Sequence, residues 1–136
     1  MTMIELLVMS ILVTLCFMSF AAMKKGSTNM KKPSRIKSFS TTMPIDKAMK
    51  TVIQFAQSSG YKIDDFNETK AIIILSDSAS LASYGNFYPV YFKKRSNESL
   101  LIEVGIKSKV TTQLFGFDTP HAKCFNGIKT VIYAAF

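Results

Sequence analysis

The sequence predicts an α+β protein: an N-terminal transmembrane helix followed by a small two-layer domain, in which an antiparallel sheet carries two helices in the order strand, helix, strands, helix. Three observations predict it. Residues 1–23 are almost wholly apolar with Glu5 as their one charge, and at about 1.5 Å rise per residue such a run crosses a roughly 30 Å hydrocarbon layer. Residues 45–56 place apolar side chains three and four apart, the period of one helix face. Between residues 61 and 107, short strand-like runs are separated by polar turns, the pattern of antiparallel hairpins.

The anchor takes residues 1–23, and residues 24–37 read KKGSTNMKKPSRIK, polar and broken by Gly26 and Pro33. Such a stretch buries too little apolar surface to fold alone, so a basic juxtamembrane tether is expected there. Residues 38–136 are left for one α+β domain. The net charge of +8 is unevenly placed: Lys24, Lys25, Lys31, Lys32, Arg35 and Lys37 fall in the tether, whereas residues 38–136 hold eleven basic and eight acidic side chains. Lysines beside a membrane helix mark the cytoplasmic side and are drawn to anionic headgroups. Lys24, Lys25, Lys31 and Lys32 are therefore the expected lipid contacts, the domain is expected to face the cytoplasm, and nucleic acid is not an expected partner.

Within the domain, weak alternation over 36–42 suggests a first strand. Pro44 opens the clearest helix: Ile45, Ala48, Met49, Val52, Ile53 and Ala56 form its apolar face, Asp46 lies in the first turn, and Gly60 stops it. Residues 61–66 and 71–75 flank a polar turn, and the β-branched run at 71–75 reads as a central strand. After a small-residue loop at 77–86, residues 87–93 and 100–107 form a hairpin. Leu100, Ile102, Val104 and Ile106 alternate with Leu101, Glu103, Gly105 and Lys107, a sheet with one face covered and one partly wet. Pro89 places the first of these strands at an edge or a bulge. A last helix begins near Thr119, with Pro120 in its first turn and a stripe of Cys124, Ile128, Val131 and Ala135. The order is similar to the helix-grip arrangement, a curved sheet around a terminal helix.

No residue is assigned catalysis. His121 is the one histidine, which excludes a histidine pair for a metal, and it reads as a helix-start residue. Cys16 lies in the apolar run and Cys124 in the domain, so the two cannot pair; Cys124 reads as a small buried hydrophobe. Asp64, Asp65 and Glu68 cluster near a turn and are expected to be solvated. Within the 77–86 loop, Ser83, Tyr84 and Gly85 are candidates for contact with a protein partner, with no nucleophile elbow or phosphate loop around them. Neither a cofactor nor a small-molecule substrate is indicated. These observations lead to an expectation of a single-pass membrane protein, not an enzyme, whose domain binds a protein partner as an accessory or assembly subunit of a membrane complex.

Met1-Thr2-Met3-Ile4-Glu5-Leu6-Leu7-Val8, and loosely on to Leu12, resembles the mature N-terminus of type IV pilins and pseudopilins. That resemblance implies a second expectation, a filament subunit on the extracellular side. Glu5 would then pair with a neighbouring subunit's N-terminal amine, since an unpaired charge is costly in an apolar filament core. The resemblance covers the first twelve residues and does not extend into the domain.

Overall fold

The computed structural model describes residues 3–5, 26–78, 85–109 and 118–135. It is α+β: an antiparallel sheet with two helices packed on one face. The strands are β1 (Ile36–Thr41), β2 (Lys62–Asn67), β3 (Ile72–Ser76), β4 (Asn86–Ser96), β5 (Ser99–Gly105) and the short β6 (Lys107–Ser108). The helices are α1 (Ile45–Ser59) and α2 (Asp118–Ala134). The sheet order is β1-β5-β4-β3-β2, with β6 pairing the start of β4 beside β5. Of the expected anchor only residues 3–5 fall within the described residues, where they are helical; among the described residues no helix is long and apolar enough to cross a membrane.

The sequence periods explain why the elements sit where they do. Ala48, Met49, Val52, Phe55 and Ala56 turn one face of α1 onto the sheet, and α1 ends at Gly60 in the left-handed conformation. Cys124, Ile128 and Ile132 of α2 complete the helical layer over Ile73, Leu75, Tyr88, Val90, Phe92, Leu100, Ile102 and Val104. Gly127 weakens helix propensity but permits contact: a Cβ there would lie 2.6 Å from Phe55 Cζ, so α1 and α2 can approach this closely only because residue 127 has no side chain.

Three expectations are corrected. The first concerns the tether, whose described part, 26–35, does not stand away from the domain. It runs as a strap across the sheet face opposite the helices, so that this face, expected to be partly wet, is covered. Gly26 is buried against Ile74 and Phe87, and Pro33 lies over Gly105 and Pro89. A polar, proline-broken stretch can pack in this way because it contributes backbone N–H groups and close approach rather than apolar side chains.

The second correction concerns Pro89, which lies in a central strand with β3 on one side and β5–β6 on the other. Phe92 N–H bonds to Ala71 on the β3 side, and alternation then points the nitrogen of Pro89 toward β5–β6. There the β5–β6 edge is interrupted at Ile106, whose own N–H bonds to Arg35 O at 3.3 Å. The register sets Pro89 opposite Gly105, where it supplies no N–H to the ladder, and the strand on that side breaks beside it.

The third concerns Asp64 and Asp65, which are not solvated turn carboxylates. The β2–β3 register slips by one residue between Ile63 and Asp65. Consecutive strand residues normally point to opposite faces, but this bulge lets both carboxylates reach the strap.

Candidate functional site

The strap is held by side chains of the sheet. Gly26 N–H donates to Asp64 Oδ2 at 3.0 Å and Thr28 N–H to Asp65 Oδ2 at 2.8 Å. The Ser76 hydroxyl donates to the other oxygen of Asp64 at 2.8 Å. Lys70 Nζ reaches Asn29 Oδ1 at 2.8 Å from the β2–β3 turn. Farther along, Lys32 Nζ lies 2.9 Å from Glu103 Oε1 and 4.9 Å from the centre of the Tyr91 ring, and Lys93 Nζ lies 3.2 Å from the same oxygen. Burial alone would raise the Glu103 pKa. Hydrogen bonds from Lys32 and Lys93, together with their charges, outweigh it and hold the carboxyl below its usual value of 4.5.

Where the strap turns into β1 it leaves an open recess of about 450 Å³ against β6. Lys31, Lys32, Arg35 and Lys107 line it, with the hydroxyl-bearing Ser34 and Ser108; among the described residues no acidic one lines it. Basic side chains from two distant chain segments thus line one recess.

A second polar group of residues lies on the helix-facing side, where the end of β3 and the start of β4 meet. Tyr88 Oη donates to Asp77 Oδ2 at 2.5 Å, Asn86 N–H to Asp77 Oδ1 at 2.6 Å, and Lys109 Nζ to Asp77 O at 2.6 Å. Burial, and then the hydrogen bond to Asp77, raise the pKa of Tyr88. The Asn86 side chain is 1% exposed, and neither atom of its amide meets the geometry of a hydrogen bond, although it lies near enough to the Tyr88 hydroxyl to offset that rise slightly. Burial pushes the Cys124 thiol up to about 12, so at neutral pH it is not a nucleophile. His121 is buried, and its Nε2–H donates to Val104 O at 2.7 Å, which ties the start of α2 to β5. Asp77, Asn86, Tyr88 and Lys109 thus bind one another.

Of the residues singled out from the sequence, Lys31 and Lys32 are exposed on the strap and adjoin the recess. Lys24 and Lys25 lie outside the described residues, as do Ser83 and Tyr84. Gly85 is buried at φ +92°, and its carbonyl accepts from Lys109 N–H at 3.2 Å, so it supports the Asp77 group rather than offering a surface of its own. Glu5 is exposed in the helical residues 3–5. Sequence reading did not bring Arg35 and Lys107 together: one belongs to the basic run and the other to a strand 72 residues later, and only the fold joins them. Set against known proteins, the chain matches no family model and no curated protein.

Proposed function

We propose that the chain is a single-pass membrane protein anchored through residues 1–23, whose α+β domain serves as an accessory or assembly subunit and binds a protein partner at the membrane. One relationship carries the reading. The apolar run ends at Met23, and Gly26 is already buried in the sheet. Three peptide steps span at most about 11 Å whatever their conformation. The domain is therefore apposed to the bilayer rather than reaching from it, with the strap face toward the headgroups and the helical layer directed away. Anchoring also raises the local concentration of that layer for a partner in the same membrane. The lysines of the strap support a cytoplasmic orientation, since such residues are retained on that side.

Membrane fractionation and protease accessibility test the reading. The full chain should stay with membranes after alkaline carbonate extraction. Protease added outside intact cells should spare the domain, and protease added to inverted vesicles should digest it. Recovery in the carbonate supernatant overturns the anchor, and digestion from outside overturns the orientation. Chains that co-purify after gentle detergent extraction would identify the partner.

The helical, exposed setting of Glu5 supports a second reading, a pilin-like subunit assembling through its first helix. Intact-mass measurement separates the two: an N-methylated Met1 in filament-sized particles favours the filament, and an unmodified or formylated Met1 in a monodisperse membrane fraction rejects it.

A further inference from the structure

We propose that the outer edge of β1 pairs with an extended, acidic segment of the protein partner, which joins the sheet as a further strand. The inference rests on the protein-partner reading above and names where that partner pairs and what charge it carries.

The register shows which backbone groups are on offer. The Ile106 N–H bonds to Arg35 O at 3.3 Å, and β1 keeps that register along β5, from Ile36 opposite Gly105 to Thr41 opposite Leu100. In an antiparallel ladder the hydrogen-bonded pairs alternate with pairs that are not. Lys37, Phe39 and Thr41 therefore turn their N–H and C=O groups to β5, whereas Ile36, Ser38 and Ser40 turn theirs outward. The outward Ser40 carbonyl accepts from Tyr133 Oη at 3.4 Å. Ser38 and Ser40 are exposed, and among the described residues no strand lies beyond β1. The opposite edge, β2, is bulged between Ile63 and Asp65, and its carboxylates hold the strap. A bulge spoils an edge for pairing, so β1 is the regular one.

Charge selects the occupant. Lys37 is exposed midway along β1, which carries no carboxylate. On α2, Lys129 Nζ lies 6.0 Å from the centre of the Phe125 ring and 5.7 Å from that of Tyr133, and both rings stand 5.7 Å from Phe39 of β1. A second ammonium group is thus held beside the aromatic side chains that flank Phe39. A second copy of the chain would set two lysine-bearing edges against each other, each on a chain of net charge +8, and lysine on an edge strand opposes such self-pairing. A strand bearing carboxylates instead gains cross-strand pairs of opposite charge. At the Thr41 end an open recess of about 310 Å³ between Ser40, Glu98 and the half-exposed Tyr133 leaves room for a side chain of the added strand. Glu98 there directs the partner's acids toward Lys37.

The probe is a synthetic peptide of about ten residues that alternates valine with glutamate; a control peptide has lysine in place of glutamate. Each is added to the full chain in neutral detergent micelles, and hydrogen exchange is resolved to single amides by NMR. Without peptide, the Ser38 and Ser40 amides should exchange about tenfold faster than those of Lys37 and Phe39, which bond to β5. The acidic peptide should slow Ser38 and Ser40 about tenfold and leave Lys37 and Phe39 unchanged, whereas the lysine peptide should slow none of them. Lys37→Glu should weaken binding of the acidic peptide about threefold or more. Ser38→Pro removes a donor that β5 does not use, so it should keep an unfolding midpoint near the parent's and lose the protection. Unchanged exchange at Ser38 and Ser40 with the acidic peptide overturns the edge site and leaves the anchored reading to its own fractionation test. Equal protection by the lysine peptide overturns the acidic partner. Protection that grows with the concentration of the chain itself gives the edge to a second copy and overturns the proposal. Recovery of the chain in the carbonate supernatant overturns the anchor alone, since pairing at the edge is measured without it.

Discussion

Gly26 packs so closely on Ile74 that a Cβ at position 26 would lie 2.5 Å from Ile74 Cγ2, and 3.1 Å from both Asp64 Oδ2 and Phe87 Cδ1. This contact begins the strap and sets how near the domain lies to the preceding apolar run. Valine at 26 must displace the buried Ile74 or lift the strap, at a cost of about 1–3 kcal/mol. Gly26→Val should therefore lower the midpoint of thermal unfolding and speed amide exchange most strongly across 26–35.

Asp64 holds the same point by hydrogen bonds. Asp64→Ala leaves the Gly26 N–H and the Ser76 hydroxyl without their acceptor, at a cost of about 1–3 kcal/mol. Asp64→Asn keeps one acceptor oxygen and should lose less than half as much. Denaturant titration of the two variants checks the order; equal losses would mean that charge, not hydrogen bonding, secures the strap.

Glu103 should make strap stability depend on pH in the acid range. Its pKa is held below 4.5 in the folded protein, so its contribution is present above the unfolded value and is lost as pH falls through the folded one. The difference in unfolding free energy between the parent protein and Glu103→Gln should be about 1 kcal/mol from pH 7 to pH 5. It should shrink steadily below 4.5. A difference that persists at pH 2 would contradict the ion-pair account.

Asn86 holds a buried amide that, among the described residues, meets no partner in good hydrogen-bond geometry. Replacing such a group with an apolar side chain of similar shape removes an uncompensated desolvation cost of about 1–3 kcal/mol. Asn86→Leu should be neutral or stabilising in thermal unfolding, whereas Tyr88→Phe, which strips Asp77 Oδ2 of its donor, should destabilise by about 1 kcal/mol. Destabilisation by Asn86→Leu would mean that the amide is satisfied in solution.

Ala71 closes the β2–β3 turn at φ +55°, a conformation that crowds its Cβ. Ala71→Gly relieves that crowding, offset in part by the freedom glycine regains on unfolding, and should stabilise by about 0.5–1 kcal/mol. Differential scanning calorimetry should register a higher unfolding midpoint.

The strap and the bulge mark the boundary of what is legible in the sequence. The α1 face, the β4–β5 hairpin and the start of α2 could be read from residue order alone, because a helix or strand with one buried face must repeat its apolar residues at 3.6 or 2. The basic run 24–37 carries no such period, and its composition pointed to a tether. Its docking depends on Asp64 and Asp65, some 37 residues away in sequence, and on a one-residue register slip that turns both toward it. Pro89 likewise pointed to an edge or a bulge, since nothing local shows that the neighbouring edge is interrupted at Ile106.

Residue order by itself determined the α+β class, most element positions, the apolar leading segment and the concentration of positive charge behind it, because each is a property of neighbours along the chain. Tertiary structure alone decided that the basic segment is a strap on the sheet, that Arg35 and Lys107 share a recess, and that Asp64 and Asp65 accept from the strap's backbone. The physical reason is that these outcomes depend on hydrogen bonds and close approaches between distant segments, which leave no periodic trace in either segment.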